Sequence, residues 1–498
     1  MDDIHARLLD LGLKIPRLLL PRDPAGLSAW AVIACDQFTQ DRSYWERVRQ
    51  AVGDNVSTLH LIYPEVFLED GPDSPDSPDS PDSPDSREGR IAAIHRTMAS
   101  YLEGAVFAPP LNACMYLERD TPYHRRRRGL LAAVDLDRYD WGGRARTLIR
   151  STEGTLPERL PARMDIRRNA PLESPHILLL VDDPQDILLG DLAGLSTSAE
   201  PAYQGNLMLG AGSLSGWQLD REEHWARIAG RLETLRRGTR DDFLYAVGDG
   251  NHSLAAAKGV WEEYKAAHAG EGRLAENPLR FALVEIENLH DPAISFEPIH
   301  RIVFNTDMDT LLGALAPLPG LRVFSPDGAS EGAPGGASDR APGGASEGVP
   351  GGASEGDRGQ GKGLEQLRRL VGDRDAARAR LGLVSGSRCL LLEADIPGLV
   401  TVALQPLLDR FTAGGGASID YIHGGEELIR LATAQPPASG QPPSPGKGAV
   451  GILLPPLRKE DLFETVARSG PLPRKTFSMG ESVEKRFYLE CRSLLSTS

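Results

Sequence analysis

At 498 residues, with 40% hydrophobic and 25% charged side chains, the chain has the composition of a globular protein and the length for two or more domains. Its formal net charge of −15 argues against general DNA or RNA binding, which needs a basic footprint. No apolar run reaches transmembrane length, the N-terminus has no basic segment leading into an apolar one, and Cys35, Cys114, Cys389 and Cys491 form no C-x-x-C pair; the expectation is a cytoplasmic protein with neither membrane association, zinc knuckle nor disulfide scaffold.

In chain order, Trp30 to Ala34 reads as a buried strand ending in the polar Cys35-Asp-Gln-Phe-Thr, and Asp41 to Val52 as a helix. Residues 72–86 are five copies of Pro-Asp-Ser; with no apolar group to bury, they are expected to form a disordered surface insert. A helical pattern resumes over Ile91–Leu102. Strands are expected over Ala113–Leu117 and Gly129–Asp135, with Arg125 to Arg128 in the connection reading more readily as a solvated turn than as a phosphate site. In the arginine-rich stretch 149–163, Arg150, Glu153, Arg159 and Arg163 can grip an anionic substrate or form internal ion pairs. Pro175 to Asp183 reads as a buried strand closing on two acids, and the glycine-rich 201–220 as loop.

The most informative stretch is Tyr245 to Lys258. A short apolar strand gives way to Gly248-Asp-Gly-Asn-His-Ser, after which Leu254, Ala257, Trp261 and Tyr264 recur at helical spacing. Gly248 and Gly250 permit a tight turn, and Asn251 or Ser253 can cap the helix. Such a corner aims helix N–H groups and the positive end of the dipole above the sheet, a place for phosphate, with Asp249 and His252 at its mouth; it is also ordinary α/β turn chemistry. The following strand, Phe281–Ile286, is expected to complete a parallel strand–helix–strand crossover.

Beyond it, Phe296-Glu-Pro-Ile-His-Arg places His300 and Arg301 together, Asp420-Tyr-Ile-His-Gly places His423 at a second strand-to-helix corner, and Arg474, Lys475, Thr476 and Ser478 form a donor cluster near the C-terminus. Leu364–Arg380 reads as a helix, Cys389–Glu393, Leu399–Leu404 and Gly451–Leu454 as strands. The Gly/Ala/Pro-rich segment 328–359 and residues 434–448 read as two further low-complexity inserts. The fold class expected is α/β, with a mixed α+β arrangement also compatible. The domain reading is a main part over 1–324, a linker over 325–362, and a C-terminal part over 363–498 packing back on the first.

Six motifs, Ser151-Thr-Glu-Gly-Thr, Pro175-His-Ile, Gly248-Asp-Gly-Asn-His-Ser, Phe296-Glu-Pro-Ile-His-Arg, Asp420-Tyr-Ile-His-Gly and Pro473-Arg-Lys-Thr-Phe-Ser, occur in an order that resembles the bacterial family known as domain of unknown function 1015. The corner is also similar to the phosphate-binding corner of the ParB, sulfiredoxin and free-serine kinase superfamily. Asp249, Gly250 and His252 match that pattern, while Asn251 stands in place of a histidine and Ser253 in place of the arginine that grips phosphate.

The leading expectation is a nucleotide- or phosphate-binding enzyme of phosphotransfer type, using ATP or ADP with Mg²⁺ and acting on a small metabolite. In that reading Asp249, His252 and His300 are catalytic, with Asp249 also the metal ligand. Gly248, Gly250, Asn251, Ser253, Arg301, Arg474 and Lys475 hold the cofactor; Glu153, Arg159, Arg163 and His423 hold the substrate. Two alternatives stand beside it. One is a metal-assisted hydrolase in which His252, His300 and His423, with Asp249 or Asp183, coordinate a divalent ion; the other is a non-catalytic small-molecule-binding regulator.

Overall fold

The computed structural model describes residues 2–23, 26–39, 41–67, 86–143, 145–196, 199–270, 274–326, 355–373, 377–433 and 448–495. The Pro-Asp-Ser repeat up to 85, residues 327–354 and residues 434–447 lie outside them, and so does what the sequence predicts there. The chain forms two compact units, one of Met1–Ser295, Val466–Pro471 and Met479–Ser498, the other of Phe296–Thr465 and Leu472–Ser478.

The first unit is built on a mixed sheet of β1 (Leu13–Lys14), β2 (Cys114–Asp120), β3 (Arg127–Asp135), β4 (Tyr139–Asp140), β5 (Ile149–Ser151), β6 (Leu178–Val181), β7 (Tyr203–Asn206), β8 (Ser213–Leu219), β9 (Tyr245–Asp249) and β10 (Phe281–Asn288). Their spatial order is β7-β8-β2-β3-β10-β6-β9-β5-β4, with β1 beside β3. Alternation along the central strands sends Leu179, Val181, Tyr245, Val247, Val284 and Ile286 into one apolar core, where they meet α1 (Asp2–Asp10), α4 (Leu160–Arg167), α5 (Glu222–Gly238) and α6 (Asn251–Ala267). Leu117, Leu131 and Leu283 point to the opposite face and join a second core with α2 (Arg42–Val52), α3 (Arg87–Glu103) and the C-terminal Phe487–Leu489.

Several expectations change. β10 runs parallel to β6, which is antiparallel to β9, so β9 and β10 are antiparallel and separated by one strand. The helix between them is therefore no parallel crossover: β6, drawn from far earlier in the chain, takes the place a parallel successor would occupy. The glycine-rich 201–220 forms the β7–β8 hairpin, because Gly216 makes room for an aromatic ring; a Cβ there would lie 2.3 Å from Tyr203 Cζ. Trp30 ends a helical turn, leaving only Val32–Ile33 as strand.

The four-arginine run enters the β2–β3 hairpin and is not all solvated. Arg127 pairs with the fully buried Glu287 at 2.9 Å, and Arg128 with Asp186 at 2.7 Å and Asp291 at 3.2 Å.

The second unit holds a mainly antiparallel sheet of β11 (Phe296–Thr306), β12 (Arg322–Phe324), β13 (Ala379–Ser385), β14 (Arg388–Ala394), β15 (Ser418–His423) and β16 (Gly448–Leu453), in the order β12-β14-β13-β16-β11-β15. One core, with Val303, Leu383, Leu392 and Ile452, receives α7 (Met308–Leu315) and α9 (Val400–Thr412). A smaller one lies against α8 (Glu355–Val371) and α10 (Gly425–Thr433). Leu399–Leu404, predicted as a strand, opens α9: Val400, Leu404, Leu407 and Leu408 bury one helical stripe past Pro406.

Candidate ligand site

β9 leads through Gly250 into α6, and Gly250 takes the left-handed conformation (φ 77°) that reverses the chain without a side-chain clash. A Cβ there would come within 3.1 Å of Ile177 Cα, so the turn packs directly on the backbone leading into β6. The Asp249 carboxylate accepts the Gly250 N–H at 2.9 Å and pairs with the buried Lys485 ammonium at 3.1 Å. Above the corner runs the 151–156 loop. Ser151 Oγ donates to Asn251 Oδ1, and His252 Nε2 accepts the Leu156 N–H at 3.3 Å. Two motifs separated by about a hundred residues are thereby one structure, because β5 lies parallel to β9.

Beside the first turn of α6 lies a cavity of ≈ 980 Å³, counting its open mouth. Leu61, Ile62, Met98, Ile166, Leu172 and Leu283 make its walls apolar; Cys35, Glu65, Arg163, His176, Ser253 and Tyr488 bring polar groups to it. A mainly apolar cleft with a few convergent polar groups is the usual form of a small-molecule site. The polar groups are connected. Ser253 Oγ lies 2.9 Å from His176 Nε2, His176 Nδ1 lies 3.0 Å from the Tyr488 hydroxyl, and that hydroxyl contacts Cys35 Sγ at 3.0 Å while accepting the Cys35 N–H at 3.2 Å. Asp36 Oδ2 stands 3.9 Å from His176 Nε2.

Charge is tuned here by neighbours. Burial raises the Asp36 carboxyl, but His176, the Gln37 amide, Lys485 and Arg163 together outweigh it and hold the group below its ordinary value. Glu65 goes the other way: burial raises it, Arg163 opposes, and Asp36 raises it further. Burial pushes both the Cys35 thiol and the Tyr488 phenol up, so neither ionises near neutrality.

Of the residues singled out in the sequence, Gly248 to Ser253 form the corner, and Arg163 lines the cavity in an ion pair with Glu65. The Glu153 carbonyl lies 2.7 Å from Ser151 Oγ, and Arg159 is exposed with its carbonyl accepting from Arg163. Arg150 is buried, donates to the Thr147 and Asp241 carbonyls and lies over the Phe243 ring. Asp183 accepts the Ile187 and Leu188 N–H groups and so caps a turn.

His300, Arg301, His423, Arg474 and Lys475 belong to the second unit. There His300 Nδ1 accepts the Leu454 N–H at 3.1 Å, and burial, then the Arg301 charge, pushes its pKa down to about 4. Arg301 is fully buried, bonded to Gln405 and to the Ile299 and Arg474 carbonyls over the Tyr421 ring. His423, Arg474 and Lys475 are exposed. Among the described residues no group of three or more His, Cys, Asp or Glu side chains is gathered to hold a metal ion.

Lys485 and Tyr488 belong to none of the six motifs, and His176 and Asp36 stand in the sequence only within a motif and at a strand end. A signal exists in Glu484-Lys-Arg-Phe-Tyr-Leu-Glu490, where charged and aromatic residues crowd a stretch that is buried throughout.

The family model described as protein of unknown function (DUF1015) matches residues 19–389, and the chain belongs to that family. No curated protein matches the sequence. Among solved structures, it is similar to a conserved hypothetical protein from Pyrococcus furiosus, at 12% identity and a TM-score of 0.33 over 73% of this chain and 94% of that one. It is also similar to free serine kinase in complex with AMP, at 11% identity and 0.34 over 72% and 90%, and to C-terminally truncated SbnI from Staphylococcus aureus, at 12% and 0.28 over 70% and 82%. Among the described residues no helix is long and apolar enough to cross a membrane.

Proposed function

We propose that the first unit binds a nucleotide or another phosphorylated small molecule beside the α6 corner and transfers a phosphoryl group to a small metabolite. The observation that carries this reading is the cavity itself: apolar walls that fit an organic body, with Arg163, His176 and Ser253 converging where a helix begins. Arg163 brings a guanidinium to the cavity, where an incoming phosphate competes with Glu65 for it, and the start of α6 adds the favourable end of its dipole. Asp36, kept ionised by its cationic neighbours, holds negative charge 3.9 Å from His176 Nε2. A phosphate-bound Mg²⁺ takes only one or two protein carboxylates, so Asp249 can serve if it exchanges Lys485 for the ion.

The test is thermal stability with ATP, ADP, CTP and inorganic phosphate, each with and without Mg²⁺. A ligand at a hundred times its Kd stabilises by about 2.7 kcal/mol, so wild type is expected to melt several degrees higher with the right nucleotide. Arg163→Ala and Asp249→Ala are expected to lose most of that rise. A panel that leaves wild type unmoved would overturn the reading. Nucleotide turnover in the presence of pooled small metabolites then separates an enzyme from a regulator, which would bind without consuming the ligand.

A further inference from the structure

We infer that Ser253 is a nucleophile, with His176 its base and Tyr488 the residue that positions the base, so that transfer passes through a phosphoseryl enzyme. This rests on the phosphotransfer reading for the identity of the group carried, but not for the reactivity of Ser253. The hydroxyl lines the cavity and lies 2.9 Å from His176 Nε2. The other imidazole nitrogen is fixed 3.0 Å from Tyr488, whose phenol in turn has Cys35 Sγ at 3.0 Å as an acceptor. With the Tyr488 proton directed to sulfur, its oxygen accepts from His176 Nδ1–H, and Nε2 is left as the acceptor facing Ser253. Nucleophile, base and orienting group in sequence is the arrangement that activates a serine on unrelated folds.

Asp36 contributes to the same step. Its ionised carboxylate, 3.9 Å from Nε2, stabilises the imidazolium that forms when His176 takes the serine proton. Ser253 also sits in the first turn of α6, where the helix dipole favours developing negative charge on oxygen. In the step itself the Ser253 Oγ–P bond forms as the bond from the terminal phosphorus of a nucleoside triphosphate to its bridging oxygen breaks. The electron pair leaves with the nucleoside diphosphate, and the serine proton moves to His176 Nε2. Attack by a metabolite hydroxyl, its proton passing to water, then forms the product's O–P bond and releases Ser253, which recovers its proton from His176.

A fluorophosphonate probe reads the nucleophile without the natural substrate, since the same attack expels fluoride and leaves a stable adduct. The full chain is expected to gain one adduct, located on Ser253 by peptide mass. Ser253→Ala is expected to abolish it, and His176→Gln to slow labelling by about 100-fold or more. Tyr488→Phe is expected to slow labelling and to shift the pH profile of the labelling that remains, a change that a merely structural role would not give. Each variant's own cooperative melt shows that it is folded. Wild type without adduct, or Ser253→Ala with it, overturns the inference. If ATP raises the melting temperature and the probe leaves Ser253 unmodified, nucleotide binding stands and the nucleophile falls. If the probe modifies Ser253 and no nucleotide shifts the melt, the nucleophile stands and the nucleotide reading falls.

Discussion

Replacing Arg486 by Met is expected to destabilise the first unit by about 3–5 kcal/mol, because it strands two buried carboxylates. The guanidinium is 3% exposed. It bonds to Glu285, to Glu490 at 2.6 Å and to the Pro175 carbonyl at 3.2 Å, while Glu490 also accepts from Tyr203. Without it, neither carboxylate has water to replace the lost charge. Adding Glu285→Gln and Glu490→Gln is expected to recover much of the loss, since the remaining groups are then neutral. The effect reaches the cavity because Arg486 lies between Lys485, which holds Asp249, and Phe487-Tyr488, which pair with Val32-Ile33. All six tryptophans fall in the first unit, so urea unfolding followed by tryptophan fluorescence reports on it. A loss below about 1 kcal/mol, the level of an ordinary substitution, would refute the claim.

This segment shows why the site was only half visible in the sequence. The corner was legible because local chemistry dictates it: an apolar run at strand spacing, glycine where φ must be positive, then a stripe at helical spacing. The α/β class with mixed sheets followed from the same periodicities. Locally, Lys485 and Tyr488 stand out only as members of a stretch crowded with charged and aromatic residues, which names no partner for either; they reach Asp249 and His176 because Arg119 and Arg127 clamp the carbonyls of Val483, Glu484 and Lys485. Two arginines drawn from the β2–β3 hairpin thus place a strap more than 350 residues away, and only tertiary packing decides which buried charge finds which partner. The misread strand at Leu399–Leu404 has a different origin. A short apolar run ending near a proline does not distinguish strand from helix until Leu407 and Leu408 are seen to bury the same face. The helix after β9 makes no parallel crossover because strand direction here depends on β6, which neither β9 nor β10 encodes.

Acid is expected to loosen the second unit through His300. Its folded pKa is pushed down to about 4, first by burial and then by the Arg301 charge, whereas an exposed histidine titrates near 6.5. The sign follows: above about 6.5 the neutral ring is favoured in both states and the stability is fully present; as pH falls towards 4 the unfolded chain takes up a proton the folded one refuses. At about 1.4 kcal/mol per pH unit, the loss reaches about 3 kcal/mol by pH 4 and then levels off. The ring is 5% exposed, so solvent screens little of this. His300→Asn keeps an acceptor for the Leu454 N–H and removes the titration. Because tryptophan fluorescence does not see this unit, the measurement is amide hydrogen exchange at Leu454 and its strand neighbours, corrected for intrinsic exchange, from pH 7 to 4.5. Protection in wild type is expected to fall more steeply with acid than in His300→Asn. Parallel curves for the two proteins would mean that His300 is not the group that titrates.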